Sequence, residues 1–366
     1  MNTIYKNISI LVIVAFFSAN LNAQYYSESM TLVRSFKLTP STTVDISNKY
    51  GKIHFIHWKS DSVKFEVDMT IKSSYPTRLA KLKESIDFDF VATEYYITAI
   101  TLIGGTHKDV VSEIIDMADP TSSTKAMIDI NYTVYIPDYI NLIVSNKYGD
   151  VYIDNHNANF NLKLSHGKLK ANDLNGNSKI ELKFGDAMVN ELDNSKLDVF
   201  YSDFQIKKAN QLNIDSKSSD INIDQVKILK VNSRRDKYHI DMVENFYGMC
   251  SFSDFWIFKL INESNVSLKY GTLIIDFIPK TFSFIKIDPN YTDVMMIFEN
   301  GSSYMFAMVH KNVNFTYPQS IAKLDQKINP NDIKGFITTG TFGNPKSDPS
   351  KLNINAINCK LDIIHK

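Results

Sequence analysis

The chain has 366 residues, 44% hydrophobic and 22% charged, a balance that excludes a wholly disordered protein and supplies enough apolar side chain for a packed core. Forty basic and forty acidic residues cancel to a formal charge of zero, so no net field draws nucleic acid or anionic lipid, and neither is an expected partner. The two cysteines, Cys250 and Cys359, form neither a CxxC pair nor a zinc spacing; they are expected as structural thiols, a bridge being open only to a fold that brings them within reach.

Lys6, an apolar run over 8–17 and a small-residue tail ending at Ala23 are the three parts of a secretory signal peptide, with cleavage expected after Ala23. The run is too short to cross a ~30 Å hydrocarbon core, and no later stretch has the ~20 continuous apolar residues of a membrane span. No cysteine stands near Ala23 to carry a lipid anchor. The mature chain is expected in the periplasm, at the cell surface or outside the cell, with no integral membrane segment.

Residues 24–144 are expected as N-terminal strands with an insertion. A helix-like stretch covers 79–85, strand-like runs cover 86–92 and 95–103, and a loop covers 104–125, with one helix at 110–117. A further strand at 127–136 is closed by Pro137.

Within this region Ser47-Asn48-Lys49-Tyr50-Gly51-Lys52-Ile53-His54-Phe55 foreshadows Ser145-Asn146-Lys147-Tyr148-Gly149-Asp150-Val151-Tyr152-Ile153. The residue after the glycine marks a repeat that continues at Lys168, Asp186, Asp203, Asp220, Lys237, Asp254, Thr272 and Asp293, in steps of 17 to 18 residues until a final step of 21. Lys52 and Lys360 mark outlying copies.

Alternate residues of a strand share a face, so the register is tested one and three positions after each marker. Those positions are apolar in every copy, from Ile53/Phe55 through Phe204/Ile206 and Ile221/Ile223 to Leu361/Ile363. A second alternating strand precedes the marker, as in Leu162/Leu164 and Leu212/Ile214. The residue before the marker is Gly51, Gly149, Gly167, Gly185 or Gly271 in five copies. Glycine there is expected to supply the positive φ of a sharp turn.

The repeat fits an all-β stacked β-solenoid with coils of about 17 to 18 residues over 145–300, because stacked coils bury apolar faces only against their neighbours. It also fits a meander of hairpins. Residues 301–366, broken by prolines, are expected as a C-terminal cap with one last coil.

The phrases at 42–55, 63–72 and 130–153, with their Asn-Lys-Tyr-Gly core, resemble the adhesin-like family of unknown function of the DUF4097 type, exported bacterial proteins. The resemblance covers most of the mature chain. It implies a stacked β-helix-like solenoid and an envelope location, and it supplies no catalytic residues. The chain departs from it in the loop at 104–125 and at Ser202, Ser219, Asp236 and Ser253, where the turn glycine is lost.

No GxSxG, HExxH, P-loop or dinucleotide fingerprint occurs. No cofactor or metal is expected. His54 and His57 stand at odd spacing on one strand and face opposite sides. Stacking aligns the marker carboxylates, such as Asp186, Asp203 and Asp220, in a column that offers calcium oxygen ligands or bonds the turn backbone. Arg234 and Arg235 beside Lys237 are the one cluster that suits a polysaccharide lyase.

Two and four positions after the marker the residues face outward. In the middle of the array they are polar, but toward the C-terminal end they become Trp256, Ile274 and Met295 beside Phe258 and Ile297. Such a patch is expected to be covered by the cap or to bind a protein or glycan surface, with Trp256 as anchor. The expected function is non-catalytic binding or scaffolding in the envelope or outside the cell. The alternatives are a sensor or accessory subunit of an envelope-stress system and a carbohydrate-active β-helix enzyme.

Overall fold

The computed structural model describes residues 25–104, 126–345 and 349–366. The signal peptide expected over 1–23, and the loop expected over 104–125 with its helix at 110–117, lie outside the described residues except for Gly104. The protein is all-β, and its strands form one long open sheet of 21. No described helix is long and apolar enough to cross a membrane.

The chain divides into two units. Of the described residues, the smaller takes 25–31, Asp68–Phe88, 101–104 and 126–130. Its helix, Pro76–Glu84, starts on a proline whose fixed φ suits a first turn and whose missing N–H has no partner to lose there. Leu79 and Leu82 on one helix face are buried. The larger unit takes Leu32–Val67, Asp89–Ile100 and Asn131–Lys366 and contains the repeats.

The repeats are solenoid coils and not hairpins, because successive copies pair parallel. Lys168 stands opposite Asp186, Asp186 opposite Asp203, Asp203 opposite Asp220, and Asp220 opposite Lys237. A meander would pair the two strands within each copy antiparallel. Parallel pairing in register keeps every inward column inward, and all the expected inward pairs are buried. The coil at 203–217 buries Phe204, Ile206, Ala209, Leu212 and Ile214. Burial of each large side chain contributes about 1.5–3 kcal/mol, and most of it is available only when a coil above and a coil below close over it.

At both ends the order in the stack departs from the order in the chain. Thr43–Lys49 pairs on one side with Asn141–Lys147 and on the other with the strand beginning at Tyr96. The two near-identical phrases therefore lie on each other, Ser47 opposite Ser145 and Lys49 opposite Lys147. The sheet has no break at 144/145. At the other end Ser350–His365 lies between Phe284–Phe298 and Tyr304–Thr316, parallel to both. Asp332–Phe342 and Ala322–Asn329 then continue antiparallel beyond Tyr304–Thr316. Residues 301–345 and 349–366, expected as a C-terminal cap with one last coil, thus extend the sheet.

Cys250 and Cys359 are buried free thiols. Burial pushes the first up to about 12 and the second up to about 11. They stand three coils apart, about 14 Å at the spacing of strands, beyond the ~7 Å Cα limit of a disulfide.

Candidate functional site

Each coil turns a corner just before its marker residue. At Gly51, Gly149, Gly167 and Gly185 the left-handed residue of the corner is not the glycine, as the sequence suggests, but the residue before it; of the corner glycines only Gly271 has positive φ of its own, at 150°. Tyr50, Tyr148, His166, Phe184 and Tyr201 have φ of 60°, 60°, 54°, 53° and 54°. Ser218, Arg235, Phe252, Tyr270, Tyr291, Asn358 and Asn312 complete the column, which contains every non-glycine residue of positive φ among the described residues. Left-handed backbone costs an L-residue roughly 1–2 kcal/mol, so a column of bulky residues held there needs compensation. Hydrogen bonds between coils supply part of it, since Tyr148, His166, Phe184 and Tyr201 each donate an N–H to a carbonyl of the next coil.

The glycine has a different cause. A Cβ at Gly149 would overlap the carbonyl of Gly51, one at Gly167 the carbonyl of Gly149, and one at Gly185 the carbonyl of Gly167. Glycine is required because successive backbones close on one another there.

The left-handed corner throws its side chains outward into an open column of rings. Tyr50 and Tyr148 stack at 5.3 Å, Tyr148 and His166 at 5.0 Å, His166 and Phe184 at 5.0 Å, and Phe184 and Tyr201 at 5.2 Å, with ring planes within 21° of parallel. Centroid separations this long in near-parallel rings describe offset stacking, in which each face is covered only in part. Phe184 and Tyr201 are 51% and 46% exposed. Ser218 and Arg235 interrupt the column, and Phe252, Tyr270 and Tyr291 resume it.

Beside the rings runs a groove of about 680 Å³. Its floor is Gly167, Gly185 and Ser202, one wall is His166, Phe184 and Tyr201, and the opposite wall is Asp150, Lys168, Asp186 and Asp203. Asp150 accepts the Lys168 N–H through Oδ1 and the Tyr152 hydroxyl through Oδ2. At Asp150, and likewise at Asp293, which accepts the Lys360 N–H, the marker carboxylate bonds the backbone of the neighbouring coil, whereas Asp220 and Asp254 accept from the Asn222 and Thr272 side chains. Lys168 pairs with Asp186 at 3.0 Å. No group of three or more His, Cys, Asp or Glu side chains placed to hold a metal occurs among the described residues.

The outward patch expected near the C-terminal end is present and open. Trp256 and Phe258 are 53% and 62% exposed, so of the two readings, cover by 301–366 and an open surface, the structure has the open surface. Trp256 stacks on His239 at 5.8 Å. Ile274 pairs with Met295, and Met295 with Asp362, while Ile297 pairs with Ile364. Ile274, Met295 and Ile297 are half-buried, because neighbouring coils shield their flanks.

Sequence reasoning missed the ring column, although its signal was legible as an aromatic residue or histidine two positions before most markers. It also missed a histidine pair. His57 stacks on His156 at 5.6 Å, with Nε2 of the first 3.4 Å from Nδ1 of the second. Burial, and then the neighbouring His57, push His156 down to about 4. His156 lies ninety-nine positions along the chain from His57, so only the stacking of the first copy on the second unites them.

Solved structures similar to the chain include a candidate cell adhesion protein from Clostridium sporogenes, at 8% identity over 93% of this chain and 100% of that one, with a TM-score of 0.18. A candidate adhesin from Parabacteroides distasonis is 11% identical over 68% of this chain and 95% of its own, with a TM-score of 0.31. A candidate adhesin from Bacteroides fragilis is 10% identical over 92% and 97%, with a TM-score of 0.28. Similarity at these values transfers neither ligand nor role to this chain. No family model matches the chain, and no curated protein matches it; the DUF4097 likeness stands as a resemblance.

Proposed function

We propose that the chain is an exported, non-catalytic binding or scaffolding protein of the adhesin-like kind, acting in the envelope or outside the cell through a flank of its solenoid. The observation that carries this is the open column of rings from Tyr50 to Tyr201. Exposed, contiguous aromatic surface is costly to leave in water and marks contact surfaces. Left-handed strain repeated at every rung is of the kind that clusters where structure serves function. The side chains of the groove, Asp150 and Ser202 among them tied to backbone, suit holding more than turnover.

The test is a screen of the full chain against immobilised glycans and envelope proteins, repeated with a Phe184→Ala/Tyr201→Ala double variant and with Trp256→Ala. Binding that one of these variants loses at unchanged thermal stability supports the proposal. Wild-type binding that survives in all variants, or release of cleavage products from a bound glycan, overturns it.

A further inference from the structure

We infer that the groove beside the ring column binds an extended chain of uncharged sugar units lying along the solenoid axis, roughly one unit per coil. The inference rests on the binding function proposed above and names its ligand class.

Three observations select this class. First, the groove repeats with the coil: successive rings are 5.0–5.2 Å apart from Tyr148 to Tyr201, close to the length of one pyranose in an extended glycan. A ligand with the same repeat makes the same contact at each rung. The partly open ring faces suit the C–H bonds of a sugar, which carry slight positive charge, against the negative face of an aromatic ring.

Second, the groove's main-chain groups are already used. The carbonyls of Gly167, Gly185 and Ser202 accept N–H groups of the next markers, and the N–H groups of Gly185 and Ser202 donate to the hydroxyls of Ser202 and Ser219. A peptide strand added to a sheet draws its affinity from free main-chain groups, and this floor offers it little. A ligand held here must use side chains, stacking on one wall and hydrogen-bonding to the other.

Third, the wall facing the rings is acidic. Asp150, Asp186 and Asp203 outnumber Lys168, and Lys168 is paired with Asp186. Carboxylates accept hydrogen bonds from sugar hydroxyls and repel uronic acids, sulfated sugars and nucleic-acid phosphates. Lys147 and Lys217 lie over the Tyr148 and Tyr201 rings, 4.7 and 5.5 Å from the ring centres. They belong to the strand residues on the other side of the corner, outside the groove lining.

The experiment titrates the full chain by calorimetry with linear hexamers of glucose, mannose, xylose and N-acetylglucosamine, and with a polygalacturonate hexamer. At least one neutral hexamer should bind, at least tenfold more tightly than its dimer, with little dependence on salt. Phe184→Ala and Tyr201→Ala should each weaken it about tenfold, Asp203→Asn should weaken it less, and Trp256→Ala should leave it unchanged. Binding of polygalacturonate alone, no neutral hexamer bound, or indifference to both ring substitutions overturns the inference. Should a glycan or protein instead bind and depend on Trp256 only, the chain remains a binding protein and the groove is not its site.

Discussion

At Gly149, Gly167 and Gly185 the residue after the left-handed corner is bare, and successive backbones close on one another. At Ser202, Ser219, Asp236 and Ser253 the same position carries a buried side chain that answers the coil before it. Gly185 N–H donates to the Ser202 hydroxyl, Ser202 N–H to the Ser219 hydroxyl, Ser219 N–H to the Asp236 carboxylate and Asp236 N–H to the Ser253 hydroxyl. The first region holds its corner by shape and the second by a hydrogen-bonded relay. At its centre Asp236 also accepts bonds from the Ser216 and Ser233 hydroxyls and the Arg234 N–H. The ring column is interrupted at Ser218 and Arg235, beside the middle of this relay, and the two devices overlap only at its ends, Tyr201 with Ser202 and Phe252 with Ser253.

The hardest test of the difference places a side chain where the first region has none. Gly167→Val, whose Cβ would meet backbone of the adjacent coil, is expected to prevent folding, because a backbone overlap has no side chain to move aside. Native-like circular dichroism and melting of that variant would show that the corner is not closed by shape. Next, Asp236→Ala should cost about 3–5 kcal/mol in urea unfolding, since it strands several buried donors. Asp236→Asn should cost less, and equal losses would mean that the relay does not depend on the carboxylate.

Acid separates the regions by a different route. Unfolded histidine takes its proton near 6.5, whereas His156 resists to about 4, so the unfolded chain binds more protons between these values. Stability is complete above about pH 6.5 and falls by about 3 kcal/mol as pH drops to 4. Burial lowers His57 in the same sense. His156 belongs to the glycine-cornered region, while 202–253 contains no buried histidine. Hydrogen exchange at pH 4.5 should therefore open 141–165 before 203–250, and His156→Phe should remove that order. Uniform loss of protection would contradict it.

Ser202→Gly should cost only about 1 kcal/mol, the net value of an ordinary hydrogen bond, and a loss near that of Asp236→Ala would erase the gradation within the relay. The smallest effect is expected at Phe184→Gly. It forfeits stacking worth about 0.5–1.5 kcal/mol but relieves left-handed strain of roughly 1–2 kcal/mol, leaving stability nearly unchanged. A large loss there would make the ring column a structural support.

Much of this architecture is legible in the sequence because a solenoid writes the same residues at a fixed interval. The inward columns follow from alternation, and Ile223 and Asn222, one residue apart, divide as expected into buried and half-exposed. Parallel pairing was not legible, because periodicity is the same for a coil and a hairpin. Nor was the role of the corner glycine, since Gly167 in a turn suggests positive φ when the real constraint is the carbonyl of Gly149 above it. The open state of Trp256 depended on where 301–366 goes, and its prolines and broken pattern suggested an independent cover. The stacking of the chain's first copy on its second set the neighbours of His57 and His156, which no local window contains.

The position of Ser350–His365 between two strands made before it has a consequence for assembly. From Asn141 to Phe298 each coil can add to the one preceding it as the chain emerges, with short-range contacts that close quickly. Tyr304–Thr316 cannot join that growing edge directly, because the place next to Phe284–Phe298 is reserved for a segment not yet made. A newly made chain must therefore hold an unpaired strand edge open until 350–365 arrives, and during that interval the edge is exposed to other chains. Completion of the stack is an insertion and not an addition, so the region beyond Phe298 is where folding and self-association compete.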